Sequence, residues 1–429
     1  MRILLFILFI SSSILLNAKP IITTDVLSYY QPNQTFKLLD QEVAFWENKL
    51  TIQYKNPSFH SKLAQAYSSQ FATRGRIEDL KKAEHHFRES IKFSAEKRSG
   101  QLRNLAHNLI SQHRFCEALA YLEEAYNLGG EIHLTELKLY DVYLELGEDA
   151  LAFELLNKFE DRNPIQYKIR LAKWEDKNGR LDNAISSLES AIKDAERTKN
   201  IDMLKWLHSN IGDFYGHAGR LTDSRDAYVK ALKLNNADWY SLKGLAWIAY
   251  SGEGNIGLTE NIIRLLDDYC KSPSIDMLKL DVLQSEYRKD LETALLKSTY
   301  DIISKEAYGG MYNDFKIDYL LEKNEYEKAL SIALEELEAR ATPQTYSQYA
   351  KVLHEKGDVD LAMDIFIKEV HGKTFEPKVF LEMLEVTQGY EPYYEEIKAE
   401  LTGTRYELGP TDYKLVEEAI QRDALHSAN

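Results

Sequence analysis

The chain has 429 residues, of which 44% are hydrophobic and 28% are charged, and its formal net charge at pH 7 is −15. These proportions are ordinary for a folded protein, and the low glycine and proline content suits long helices. A strongly acidic balance disfavours nucleic acid, because phosphates attract basic surfaces. We therefore expect no nucleic-acid partner.

The first 18 residues have the layout of a secretory signal peptide. Arg2 precedes an apolar run from Ile3 to Leu16, and Asn17 and Ala18 offer a small-residue cleavage site. A membrane-spanning helix needs about 20 apolar residues, which is more than this run contains. We expect cleavage and export to the periplasm or the exterior, with no membrane insertion afterwards. An uncleaved N-terminal anchor is the alternative.

Residues 19–55 are expected to form a partly helical N-terminal segment. The region 56–370 contains a sequence pattern that repeats about every 34 residues. Each copy places a large–small pair and a further large residue on one helix. A turn residue follows, and a second helix then carries a small, a large and a small residue on one face. The three clearest copies are Ile211, Gly212, Tyr215, Gly219, Ser224, Tyr228 and Ala231; Leu105, Ala106, Leu109, His113, Ala118, Leu122 and Ala125; and Tyr349, Ala350, Leu353, Gly357, Ala362 and Phe366.

This pattern resembles the tetratricopeptide repeat (TPR), whose consensus is W-x2-L-G-x2-Y, then A-x3-F, then often P. The resemblance implies an all-α fold, a right-handed superhelical solenoid of antiparallel helix pairs that bury their faces against their neighbours. About nine repeats are expected, two of them degenerate within 239–309, where Thr259 and Ala294 are the candidate anchors. In the other repeats, the residues that open the second-helix stripe are Ala83, Ala118, Ala152, Ala184, Ser224, Ala329 and Ala362.

Some positions depart from the family pattern. His113 and Asn324 stand where the family has a glycine between the helices. The two cysteines, Cys116 and Cys270, lie several repeats apart and are not expected to pair, and Cys116 is expected to be buried. Residues 371–429 are expected to form C-terminal capping helices and a tail.

Motifs that carry chemistry are scarce, and we expect no catalysis, no cofactor and no metal site. Gly252, Gly254 and Gly257 spell G-x-G-x-x-G, but a dinucleotide site needs a preceding strand, and the preceding residues have helical spacing. The motif is interpreted as a turn between helices, with Thr259 as the N-cap of the next helix. The histidine pairs lack the close ligand spacing of a zinc site.

In the TPR family, the first helix of each pair lines a concave groove in which partners bind. Carried over by register, the resemblance implies a set of partner-binding residues in this chain. The aromatic residues among them either grip an extended ligand or pack against the degenerate repeat that follows. The basic and asparagine residues that hold a peptide's terminal carboxylate in some TPR proteins are not reproduced. The implied set is Arg103, His107, Lys173, Tyr240, Lys243, Trp247 and Tyr250.

The sequence favours an exported scaffold that binds a protein or peptide partner in its groove without catalysis. Two alternatives remain open. The chain is a structural subunit of a cell-envelope or surface assembly, or it is an enzyme or carbohydrate-handling protein on a helical-repeat frame. The last alternative requires acidic and aromatic residues to converge in one deep pocket.

Overall fold

The computed structural model describes residues 20–96, 98–160, 162 and 164–426, with side chains as far as residue 421. The predicted signal peptide lies outside the described residues. Within them the chain forms 22 α-helices and no strand, which confirms the predicted all-α repeat solenoid. None of the helices in this part of the chain is long and apolar enough to cross a membrane.

A short 3-10 turn at Thr24–Tyr29 and helix α1 (Asn33–Ile52) precede a series of helix pairs. In the described chain these pairs are α2 (Pro57–Arg74) with α3 (Ile77–Phe93), α4 (Ser99–Ile110) with α5 (Phe115–Leu128), α6 (Ile132–Leu146) with α7 (Asp149–Phe159), α8 (Pro164–Lys177) with α9 (Leu181–Arg197), α10 (Ile201–His217) with α11 (Leu221–Leu234), α12 (Trp239–Trp247) with α13 (Ile256–Tyr269), α14 (Pro273–Ser285) with α15 (Lys289–Ile303), α16 (Asn313–Glu322) with α17 (Tyr326–Ala339), and α18 (Pro343–Lys356) with α19 (Val359–Ile365). Helices α12 and α19 each continue into one π-helical turn, at Ile248–Gly252 and Phe366–Val370.

Local sequence explains where these helices begin and end. Helices α2, α8, α14 and α18 start with proline, whose missing N–H has no partner in a first turn anyway. Gly357 ends α18 with a φ of 100°, a left-handed conformation that suits glycine. His113 and Asn324 adopt the same left-handed region, with φ of 57° and 56°, so they act as turn residues in place of glycine.

The small residues that open the second-helix stripes lie where neighbouring helices approach most closely. Ala83, Ala118, Ala152, Ala184, Ser224, Ala329 and Ala362 are all fully buried. In the degenerate pairs, Thr259 of α13 is also fully buried, but Ala294 of α15 is exposed. Leu296 and Thr299 face the core of that pair instead, so α15 is rotated relative to the expected register.

Two expectations about single residues are wrong. Asn255, not Thr259, caps α13, because the Asn255 side chain accepts a hydrogen bond from the Leu258 N–H at 3.1 Å. The Thr259 hydroxyl donates to the Asn255 carbonyl one turn back. Cys116 is exposed rather than buried, and its thiol donates to the carbonyl of Ala339 at 3.1 Å, on a distant helix pair.

Helix pairs that are distant in sequence contact each other, so successive turns of the superhelix pack together. The Lys271 N–H donates to the Arg74 carbonyl at 2.7 Å. The Phe375 ring lies so close to Gly179 that a Cβ there would be 2.6 Å from it. These contacts and that of Cys116 join positions about 200 residues apart. At about 34 residues per pair, one superhelical turn therefore takes about six pairs.

Three helices follow the last pair: α20 (Pro377–Val386), α21 (Tyr393–Leu401) and α22 (Arg405–His426). Helix α22 is broken at Gly409, which has a φ of 79° and a ψ of 164° and precedes Pro410. The start of α22 contacts α10, α14 and the π-helical turn after α12. We name Arg405–Thr411 the C-terminal strap.

Candidate functional site

A large cavity of about 1190 Å³ opens on the concave side of the N-terminal half of the molecule. We name it the open groove. It is lined by the first helices α4, α6, α8 and α10 and by the loops that lead into them. Its apolar floor includes Leu134, Leu137, Ile169 and Met203. This is the surface on which the sequence placed Arg103, His107 and Lys173.

Two arginines of the open groove, Arg103 and Arg170, are held by the protein itself. Arg103 is only 5% exposed, and it donates to the Gly130 carbonyl at 2.7 Å and pairs with Glu131. Arg170, two helix pairs further on, donates to Asp141 at 2.7 Å. Both side chains tie neighbouring pairs together. The Arg103 guanidinium is therefore already engaged within the protein, unlike the free cation expected for a partner-binding residue.

Lys138 and His107 differ, because they face the open groove with no hydrogen bond or ion pair to their side chains among the described residues. The positive charge of Lys138, followed by burial, lowers the pKa of His107 to about 4. Burial lowers the pKa of Lys138 as well, and the charges of Arg170 and Arg103 act in the same direction. The charge of Asp141 opposes both shifts, but Lys138 at the centre of the open groove makes no direct ion pair with it.

The rim of the open groove is more accessible. Lys173 is exposed and pairs with Asp141 at 3.0 Å. Trp206 is 40% exposed and lines the far end of the groove beside Met203. The rim thus offers one large aromatic surface some distance from the charged centre.

A second, smaller cavity of about 290 Å³ lies between α10, α12, α14 and the C-terminal strap. We name it the closed pocket. Tyr228 inserts from α11 between Gly212 and Gly244, where any Cβ would come within 2.5 Å of its ring. The Asp213 carboxylate accepts hydrogen bonds from the hydroxyls of Tyr228 at 2.6 Å and Tyr240 at 2.9 Å. Because Gly212 and Gly244 have no side chains, the Tyr228 ring fits between them and forms the base of the pocket.

The C-terminal strap forms the remaining wall of the closed pocket. The Trp247 indole and the Ser251 hydroxyl each donate to the Tyr406 carbonyl at 2.9 Å. The hydroxyls of Tyr250 and Thr411 lie 3.0 Å apart. Tyr250 and Ser251 belong to the π-helical turn after α12, a local widening that is frequent at functional sites. The turn thereby presents both residues to the strap.

The aromatic residues Tyr240, Trp247 and Tyr250 lie in different environments. Neither gripping a ligand nor packing against the next repeat describes all three. Tyr250 is 1% exposed and belongs to the core. Trp247 is half-buried under the strap, and it lines the closed pocket together with Lys243. Tyr240 is 40% exposed and lines the same pocket. The cluster therefore borders a pocket that the chain's own C-terminal segment covers.

Carboxylates on the strap face carboxylates on the groove wall. Burial, together with the negative charges of Glu376 and Asp176, raises the pKa of Glu407 to about 7. Burial and the charge of Asp412 raise the pKa of Asp281 to about 7. Carboxylates therefore crowd together on both sides of the C-terminal strap.

A buried histidine pair joins α2 and α3 at the N-terminal end. The Nδ1 atoms of His60 and His86 lie 2.9 Å apart, and His60 Nε2 lies 2.7 Å from the Tyr54 carbonyl. Because a carbonyl only accepts, neutral His60 donates through Nε2 and accepts from His86 through Nδ1. Burial, and the charges of His85 and His60, lower the pKa of His86 to about 4. No group of three or more potential metal ligands occurs among the described residues.

Two features of these sites were missed at the sequence level. Lys138 lies 35 residues after Arg103, so the repeat register alone was sufficient to place it in the groove. Tyr406 lies beyond the repeats, where no register applies. Its neighbour Gly216 would place a Cβ 2.6 Å from its ring, a contact that only the folded chain reveals.

Comparisons with known proteins concern architecture only. No protein-family model matches the chain, and no curated protein matches it. Similar solved structures include a human IFIT1 dimer with PPP-AAAA (TM-score 0.47, 14% identity, 73% of this chain and 71% of that chain) and yeast Tom70 (TM-score 0.33, 14% identity, 94% and 97%). YrrB, a TPR protein with an unusual peptide-binding site, has a TM-score of 0.25 and 17% identity over 46% of this chain and 96% of that chain. The TPR-like repeat assignment rests on the helix pairs themselves.

Proposed function

We propose that this chain is an exported, non-catalytic scaffold that holds an extended segment of a protein partner in the open groove. The observation that carries the proposal is Lys138, which faces this groove beside the neutral His107 and makes no hydrogen bond or ion pair among the described residues, since the nearby Asp141 pairs with Arg170 and Lys173. A part-buried, unpaired cation is unfavourable, and an incoming carboxylate relieves that cost. The partner segment is therefore acidic at its centre.

The dimensions of the open groove suit a short stretch of extended chain. Four first helices at about 9 Å spacing span roughly 30 Å. An extended chain advances about 3.3 Å per residue, so roughly nine residues fit. An apolar side chain at one end of such a segment packs against Trp206 and Met203, and an acidic side chain reaches Lys138.

Export is supported by the N-terminal sequence, in which Arg2 precedes the apolar run Ile3–Leu16. We expect the mature chain to begin near Lys19 and to be found outside the cytoplasm. N-terminal sequencing of the exported protein tests this, and recovery of Met1 there contradicts cleavage.

The groove proposal is tested with a library of nine-residue peptides selected on the mature full-length chain. Enriched peptides should carry a central Asp or Glu, and Lys138→Ala should weaken their binding by at least about tenfold. Lys193→Ala, on the exposed face of α9, is the matched control and should leave binding unchanged. Equal binding by the Lys138 variant places the partner elsewhere. Peptides should be recovered intact, and cleaved products contradict the non-catalytic part of the proposal.

A further inference from the structure

The closed pocket has the size of a small-molecule site rather than a peptide groove. Its volume of about 290 Å³ lies just below the roughly 300–1,000 Å³ typical of pockets for drug-sized ligands. The C-terminal strap forms one wall of it, and the pocket has about a quarter of the volume of the open groove. One compact molecule fits.

A lysine and an aspartate line this pocket without a direct hydrogen-bonding partner in the described chain, and the charge of each acts on the pKa of the other. Neither the Lys243 ammonium nor the Asp281 carboxylate has a hydrogen bond or an ion pair within the part of the chain that the structure describes. The backbone of Asp281 is fixed, because its carbonyl accepts from the Tyr250 hydroxyl at 2.9 Å. The Lys243 ammonium lies 5.6 Å from the centre of the Tyr240 ring. The two residues lie on the helices α12 and α14, which face each other across the pocket.

The other groups around the pocket define what else a ligand meets. The Asp213 carboxylate already accepts from two tyrosine hydroxyls, so it is a weaker partner for a ligand. The remaining titratable side chains in the lining are His217 of α10 and Tyr406 and Glu407 of the strap. Trp247 and Met277 supply an apolar wall.

We propose that the closed pocket binds a free α-amino acid with an aromatic or large apolar side chain. Its carboxylate pairs with Lys243, its ammonium pairs with Asp281, and its side chain packs against Trp247. A ligand with only one charge leaves the other protein charge unpaired in a covered cavity, which is unfavourable. Only a zwitterion neutralises both. This proposal is independent of peptide binding in the open groove.

The test measures binding of the twenty free L-amino acids to the mature full-length chain by thermal shift and titration calorimetry. L-phenylalanine is compared with phenethylamine, which lacks the carboxylate, and with 3-phenylpropionate, which lacks the ammonium. We expect an aromatic or large apolar amino acid to bind, and the two analogues to bind at least about tenfold more weakly. Because these comparisons use the unaltered protein, they do not depend on a variant's folding.

Lys243→Met and Asp281→Asn should each weaken amino-acid binding by at least about tenfold. Lys138→Ala, in the open groove, is the matched control and should leave it unchanged. The proposal is overturned if no free amino acid binds, if phenethylamine binds as tightly as phenylalanine, or if both pocket variants keep full affinity. Peptide binding by Asp281→Asn should persist, which separates this proposal from the open-groove function.

Discussion

The open groove and the closed pocket are built by the same kind of helix pair, yet they present different surfaces. In the open groove Arg103 and Arg170 pair with carboxylates of the neighbouring helix pair, and Lys138 faces the cavity without an ion pair among the described residues. Around the closed pocket, the C-terminal strap occupies the concave side and accepts hydrogen bonds from Trp247 and Ser251. A repeat thus sets the curvature of its surface, while a segment outside the repeats determines whether that surface is accessible.

The largest expected contrast comes from making the same substitution in both regions. Trp247→Ala should lower the free energy of unfolding by about 3 kcal/mol, because it removes a packed indole and its bond to the strap. Trp206→Ala, at the 40% exposed rim of the open groove, should cost about 1 kcal/mol or less. Urea denaturation followed by circular dichroism measures both. Equal losses contradict the distinction between a covered and an open surface.

A second contrast uses two helical glycines. Gly212→Ala should destabilise by about 1–3 kcal/mol, because the new Cβ would lie 2.5 Å from the buried ring of Tyr228. Gly257→Ala, in α13, meets no atom within 4 Å and should be neutral or stabilising. Thermal unfolding of the two variants checks the opposite signs. An unchanged melting temperature for Gly212→Ala shows that Tyr228 does not pack as described.

Acidification should act in opposite directions at the two ends of the molecule. An unfolded imidazole gains a proton near pH 6.5, but the pKa of folded His86 is about 4, so α2 and α3 lose stability as pH falls through this window. The pKa of folded Glu407 is about 7 against 4.5 when unfolded, so docking of the strap strengthens as pH falls from 7 to 4.5. Amide hydrogen exchange, corrected for its intrinsic pH dependence, measures both segments.

Matched variants assign each pH response to its group. His86→Gln should remove the response of α3 and leave that of the strap. Glu407→Gln should leave the strap docked at all pH values between 4.5 and 7, while α3 still responds. A shared response in both segments points instead to global unfolding.

The smallest expected effect sharpens the description of the open groove. Lys138→Ala should change stability by less than about 0.5 kcal/mol, because the ammonium makes no ion pair among the described residues. It should raise the pKa of His107 from about 4 toward its ordinary value, since the charge of Lys138 is the largest cause of that low pKa. An NMR titration of His107 measures the change. Lys173→Ala is the control and should move this pKa less.

The fold was predictable because its signal is local and repeated. Residues such as Ala118 and Ala362 recur at the repeat spacing, and each is fully buried where a neighbouring helix packs. The misplaced anchor at Ala294 shows the limit of this signal. In a degenerate pair the helix can rotate, and then other side chains face the core.

The candidate sites were less predictable, because they depend on contacts between distant parts of the chain. Register correctly placed His107 and Lys173 on the open groove, but it did not distinguish a paired Arg103 from an unpaired Lys138. Tyr406 reaches the closed pocket from beyond the repeats, and no local pattern records that contact. Closure of the pocket is a property of the tertiary fold.

The contacts between successive superhelical turns have a mechanical consequence. A solenoid in which each repeat touches only its neighbours extends like a spring when its ends are pulled. Here the bond between Lys271 and Arg74 and the packing of Phe375 on Gly179 fasten adjacent coils together. These contacts must break before adjacent turns can separate, so we expect the molecule to resist extension until they do.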